Sequence, residues 1–175
     1  MKGRVSVSMK IAFTGAESTG KTTLLRELQG NFPDLVPIEG VTRNVKNYLN
    51  KSNDVQKNIL ASYAATLMEH AKTGFICDRT IFDVCAYSIV KEVWDYKYVD
   101  SVLTNYVKTN IFPDYLFYTP IEFPMVQDGG RPEGTREAID AEIKRMIDKY
   151  AYNEYITLTG GVEKRVETIL RAIRK

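Results

Sequence analysis

The chain is short of the side chains from which most metal and redox sites are built. It has one histidine, His70, and two cysteines, Cys77 and Cys85, in 175 residues. The thiols stand eight positions apart in one apolar stretch, so neither a Cys-x-x-Cys redox pair nor a zinc quartet assembles from them. Their expected place is a reduced, buried core, as suits a cytoplasmic protein. A run of about 18 apolar residues is also missing, which excludes a membrane-spanning helix. The opening MKGRVSVS lacks the apolar centre of a secretory signal. Nor is charge of one sign in excess. The net charge of +2 is too small to demand a nucleic-acid partner through bulk electrostatics. Internal repeats, low-complexity tracts and linkers are absent as well.

What remains is ordinary globular composition, 44% hydrophobic and 26% charged, at a length that predicts one domain over residues 1–175. Short β-branched or aromatic runs predict five strands: MKIAFT (9–14), LVPI (35–38), GFIC (74–77), DYLFYT (114–119) and EYITL (154–158). Between them, helical spacing covers 21–29, 54–72, 81–94, 97–108, 135–150 and 162–174. A Ser-Asn-Asp cluster starts the second helix, and Thr135 is placed to cap the fifth. Alternation of strand and helix predicts an α/β fold, a parallel sheet covered on both faces. One long irregular piece, TPIEFPMVQDGGRPEG (119–134), reads as a mobile surface segment, a lid over about 120–137.

GAESTGKT, residues 15–22, carries the clearest chemistry. Gly15, Gly20, Lys21 and Thr22 fit G-x-x-x-x-G-K-[ST], between a predicted strand and a predicted helix. Glycines let the backbone close around phosphate oxygens without a Cβ in the way. Successive amides from Ala16, Glu17, Ser18 and Thr19, continued by the helix start at Thr23, supply positive potential for an anion. Lys21 reaches the β- and γ-phosphates of ATP, and the Thr22 hydroxyl is placed to ligate Mg²⁺. Such a loop alone does not choose among motor, switch and kinase.

The third predicted strand ends GFICDRT, so Asp78 adds a carboxylate to the Thr22 hydroxyl as a candidate for the magnesium shell. A hydrolytic motor places a water-activating Glu after that Asp; here Arg79 follows. Its planar fork suits bidentate binding of phosphate oxygens in a phosphoryl-acceptor site. NKSND at 50–54 is superficially a guanine-reading signature, but its Asp falls one residue late and ahead of the third strand. It reads as a helix cap.

DRTIFDVCAY, 78–87, resembles the thymidylate kinase pattern Asp-Arg-aromatic-x-x-Ser-x-x-Ala-Tyr. Asp78, Arg79, Ala86 and Tyr87 match; Thr80 and Asp83 depart from it. More widely, the chain is similar to P-loop nucleoside and nucleotide kinases of the bacterial nicotinamide riboside kinase kind. The motifs in order are GAESTGKT, Glu39 near the second strand, Asp78 ending the third, and DGGRPEGTRE at 128–137. The resemblance implies a P-loop NTPase fold with strand order 2-3-1-4-5.

Roles for the other candidates follow from position. Carboxyl ends of parallel strands border the ligand crevice, so Glu39 is expected to face the cradle and to accept the proton of an attacking hydroxyl. Asp78 is the other candidate base. Arg43 could neutralise an acceptor phosphate. Arg131 and Arg136, five residues apart, are candidates to arrive on closure and offset charge at the γ-phosphoryl oxygens, Arg131 first and Arg136 second. Asp128 reads as a turn former. Among eleven tyrosines and seven phenylalanines, Phe82, Tyr87 and Tyr63 are candidate walls for an acceptor base. The closing basic helix (Lys164, Arg165, Arg171, Arg174, Lys175) is expected to be a solvated face.

The expected activity is ATP- and Mg²⁺-dependent phosphoryl transfer to a small nucleoside or nucleotide. A DNA or RNA base or terminus is an alternative acceptor, and a non-catalytic ATP-binding module is the other reading. No pattern in the sequence prescribes an oligomeric state.

Overall fold

The shortest route into the fold is its central strand, β1 (Lys10–Thr14). In the computed structural model, which describes residues 8–40, 45, 52–124 and 135–174, β1 is flanked in parallel by β3 (Phe75–Cys77) and β4 (Tyr115–Tyr118). The edges are β2 (Val36–Ile38), beside β3, and β5 (Tyr155–Thr157), beside β4. The sheet order is therefore β2-β3-β1-β4-β5, the order expected from the motifs. All five predicted strands form, each trimmed by one or two residues at its ends.

Strand alternation divides the core into two layers. Ile11, Phe13, Ile76 and Phe117 face one side, where they pack on Leu24, Leu25 and Leu28 of α1 (Lys21–Gln29) and Ile169 of α6 (Val162–Ile173). Ala12, Phe75, Cys77, Leu116 and Tyr118 face the other. That side is covered by α2 (Asn53–His70), α3 (Ile81–Val90), α4 (Tyr96–Tyr106) and α5 (Arg136–Tyr150). Both cysteines lie in this second layer, and burial pushes the Cys77 thiol up to about 12 and the Cys85 thiol higher still. Among the described residues, no helix is long and apolar enough to cross a membrane.

Most helix ends fall within two residues of expectation, and two places need a physical account. α3 stops at Val90 rather than at 94, because Glu92 takes φ 56° and the Val93 and Trp94 amides both turn back to the Ser88 carbonyl. The Trp94 indole then donates to Asn53 at 2.9 Å, tying the turn to the start of α2. At α5, Thr135 occupies the cap position but makes no side-chain cap bond. Its hydroxyl instead accepts from Lys91 Nζ at 3.3 Å. Ser52 caps α2 as the sequence implies, accepting the Val55 amide at 3.2 Å.

The register sets Ile38 level with Cys77, Cys77 with Ala12, and Thr14 with Tyr118. The residues that follow, Glu39, Asp78, Gly15 and Thr119, consequently leave the sheet along one edge. The candidate chemistry is gathered there.

A phosphate cradle at the strand ends

Gly15 leaves β1 with φ +146°, and a Cβ built on it would meet the Thr119 carbonyl oxygen at 2.3 Å. Only glycine allows β4 to approach this closely. The contact is consolidated by Thr119, whose amide donates to the Thr14 carbonyl at 2.9 Å and whose hydroxyl pairs with that of Thr19 at 2.8 Å. At the other end of the loop, Gly20 (φ 90°) starts α1, and the Leu24 amide closes the first turn on the Gly20 carbonyl.

Lys21 folds back over this loop. Its ammonium donates to the Gly15 carbonyl at 2.6 Å, to the Ala16 carbonyl, and to the Thr19 hydroxyl at 3.2 Å. Burial, and then the field of the Arg79 guanidinium, lower its pKa to about 8. A buried ammonium with depressed proton affinity is short of negative charge, which a phosphate would supply.

Thr22 and Asp78 meet as the sequence suggests, the hydroxyl donating to Asp78 Oδ2 at 2.6 Å. Two hard oxygens from two elements fit a magnesium ion, which keeps waters and substrate oxygens for its remaining positions. Among the described residues no cluster of three His, Cys, Asp or Glu gathers. Arg79 is held from behind, its carbonyl accepting from the Tyr63 hydroxyl and from Cys77 Sγ at 3.1 Å. Its guanidinium is turned inward, with Nη1 4.0 Å from Asp83 Oδ1 and its field felt at Lys21.

Glu39 stands beside Asp78 at the strand ends but is not unaccompanied. Arg26 of α1 grips it at two points, Nη2 to Oε2 at 2.7 Å and Nε to Oε1 at 3.1 Å. Arg136 lies at the loop, yet it addresses backbone: Nε donates to the Glu17 carbonyl at 2.9 Å and Nη2 to the Ser18 carbonyl at 3.1 Å.

Several expectations need correction. Phe82 is fully buried and packs edge-on against Tyr106 at 5.5 Å, so it serves the core and offers no face to an acceptor base. Tyr63, 3% exposed, does the same apart from its hydroxyl. Tyr87 is half-buried, with Lys91 Nζ 5.8 Å from its ring centre. Arg165, assigned above to a solvated face, is 2% exposed, whereas Lys164, Arg171 and Arg174 are exposed. Arg43, Asp128 and Arg131 lie outside the described residues.

The sequence reading missed Asp83 as a site residue. Its Oδ2 accepts from the Thr14 hydroxyl at 2.9 Å and from the Thr80 amide and hydroxyl, both at 2.8 Å; Oδ1 accepts from the Gly15 amide at 3.4 Å. One buried carboxylate thus joins β1, the cradle and the start of α3. The signal was there: Thr80-x-x-Asp83 has the spacing of a capping box, and the structure forms it.

Known folds bear out the likeness to P-loop nucleoside and nucleotide kinases. Deoxyadenosine kinase from M. mycoides, solved with dATP, superposes with a TM-score of 0.71 at 17% identity, covering 95% of this chain and 100% of its own. The NadR protein in complex with NAD and AMP-PNP gives 0.69 at 18% identity, over 95% of this chain but 49% of its own. Thymidylate kinase from Ehrlichia chaffeensis gives 0.65 at 19%, over 94% and 98%. At these identities the likeness is one of fold. No curated protein matches by sequence. A family model described as an AAA domain matches residues 10–165, from the first residue of β1 into the first turn of α6, and so takes in the cradle, Asp78, Arg79 and Arg136. The chain belongs to the AAA domain family.

Proposed function

We propose that the protein transfers the γ-phosphoryl group of ATP to a small nucleoside or nucleotide, with Mg²⁺. The observation that carries this reading is the inward-turned Arg79 at the position where a hydrolytic site would hold a water-activating acid. A fixed guanidinium there offsets charge on phosphoryl oxygens and activates no water. The nucleotide complexes among the similar folds agree with it.

In this reading the 15–20 loop and Lys21 hold the donor phosphates. Thr22 and Asp78 would hold magnesium, which would offset the charge of the donor phosphates. The hydrogen bond from the Thr22 hydroxyl to Asp78 supports pairing the two in that task. Glu39 is therefore the better-placed base for the acceptor hydroxyl, and Arg26 orients it. Arg136 shapes the loop from outside; Arg131 and Arg43 remain candidates for the transferred group and an acceptor phosphate. Tyr87 remains the candidate wall for an acceptor base. Rate enhancement comes mostly from positioning and fixed charge.

The test is γ-labelled ATP offered with nucleosides, nucleoside monophosphates and oligonucleotides. Label should enter a free nucleoside or nucleotide. Label appearing only as inorganic phosphate would overturn transfer. Label in an oligonucleotide, with binding that falls steeply as salt rises, would replace the small acceptor by a polynucleotide.

A further inference from the structure

Five consecutive carbonyls of the cradle accept hydrogen bonds from cations on three different helices. Lys21 of α1 takes Gly15 and Ala16, and Arg136 of α5 takes Glu17 and Ser18. The last, Thr19, is taken by Arg165 of α6, whose Nη1 donates at 2.7 Å from 146 residues away in sequence. The peptide bonds of this loop are trans, so each carbonyl and the amide that follows it point in opposite directions. Pinning the Glu17, Ser18 and Thr19 carbonyls outward commits the amides of Ser18, Thr19 and Gly20 to the other side. An anion needs donors there.

Arg165 is placed for this task and poorly placed for any other. Its side chain is 2% exposed, and a guanidinium so thoroughly desolvated is a weak source of stability. Nη2 meets Glu122 Oε2 at 2.6 Å, and the same oxygen accepts the Gly160 amide at 2.9 Å. The Phe123 ring lies 5.1 Å from the guanidinium carbon. Nε has no acceptor among the described residues. Glu122 follows β4, Gly160 precedes α6, and Arg165 joins both to the loop.

We infer that Arg165 is a positioning residue for the phosphate cradle, holding the Thr19 peptide in its donor-inward orientation while Glu122 balances its charge. The inference rests on the donor-site part of the proposed function, and on no particular acceptor.

Titration calorimetry of the full chain with Mg·ATP and with Mg·tripolyphosphate tests it, on wild type, Arg165→Met, Arg165→Lys, Glu122→Gln and the Arg165→Met/Glu122→Gln double variant. Circular dichroism checks folding in parallel. Loss of the charged hydrogen bond to Thr19 should weaken both ligands about ten- to a hundredfold in Arg165→Met. Arg165→Lys, with one ammonium for two acceptors, should fall between it and wild type. The double variant should match Arg165→Met, because Glu122 acts through the guanidinium. A folded Arg165→Met with wild-type affinity for both ligands would overturn the inference. Should that variant not fold, wild-type affinity in both Arg165→Lys and Glu122→Gln overturns it equally. A wild type that binds neither ligand removes the donor site, and the inference with it. Weakened binding in the Arg165 variants, with no labelled acceptor from any panel, leaves the inference standing and removes only the transferase.

Discussion

The Arg26 guanidinium holds the Glu39 carboxylate at two points, 2.7 and 3.1 Å, across the gap between α1 and the end of β2. Arg26 lies five residues beyond Lys21 on α1, so the pair fixes the carboxylate relative to the 15–20 loop. The pair is largely in solvent, with side chains 67% and 32% exposed, and exposed pairs add little to stability. Its value is in orientation.

Glu39→Gln should therefore lower kcat by about 10²–10⁴-fold, the range for loss of a general base, while calorimetric affinity for Mg·ATP stays near wild type. Arg26→Met should lower kcat less and leave the thermal midpoint almost unmoved. Asp78→Asn should behave differently, raising the magnesium concentration needed for half-maximal rate. Equal kcat in Glu39→Gln and wild type would return the base to Asp78.

Asp83 makes the opposite kind of contribution. It is buried, and it accepts four hydrogen bonds from Thr14, Gly15 and Thr80. Asp83→Ala would remove the shared acceptor of the Thr14 and Thr80 hydroxyls and of the Gly15 and Thr80 amides, and leave Arg79 without the carboxylate 4.0 Å away. The expected cost is about 2–4 kcal/mol, read as a lower urea midpoint with unchanged slope. Asp83→Asn, keeping shape and one acceptor, should lose less. An Asp83→Ala midpoint equal to wild type would mean that the network is not holding α3 to the cradle.

These two acids mark the limits of what was legible beforehand. The strands, the helices among the described residues and the glycine-lysine loop follow from local pattern, because alternation, helical spacing and that loop are local signals, whereas the sheet order came from the resemblance. Asp83 was visible as a departure from a motif and as the third helical residue after Thr80, but its partner Thr14 lies 69 residues earlier. Arg165 was misread for the same reason. It stands four residues before Ile169, on the buried stripe of α6, and a charge on an apolar stripe should have been read as paired rather than solvated. What it pairs with, Thr19 and Glu122, depends on tertiary placement. Phe82 differs in kind: an aromatic residue close after a strand end reads as a candidate wall for a base, while its helix turns it into the core against Tyr106.

Gly15 tests the steric side of the cradle. A Cβ at this residue would stand 2.3 Å from the Thr119 carbonyl oxygen and 2.6 Å from its hydroxyl, with φ at +146°. Gly15→Ala must move β4 or the loop, at about 1–3 kcal/mol for the backbone alone. Thermal melting should fall, and Mg·ATP binding should weaken even in the folded fraction. Gly30, where a Cβ meets nothing within 4 Å, is the control, and Gly30→Ala should change neither.

Lys21 gives the cradle a proton signature. Its folded pKa, about 8, lies below the ordinary 10.5 because burial and then Arg79 disfavour the charged form. Between those two values the unfolded chain holds a proton that the folded chain has released, so stability rises with pH across that window. Below about 8 the ammonium is charged in both states and the penalty is fully present. A bound triphosphate reverses the balance, since its oxygens favour the ammonium. Binding at pH 8 should then take up about half a proton, falling towards none at pH 6. Titrations in two buffers of different ionisation enthalpy measure this directly. Lys21→Ala should stay folded, abolish transfer and lose the uptake. Binding heats that are independent of buffer at pH 8 would show that Lys21 is already fully charged in the free protein.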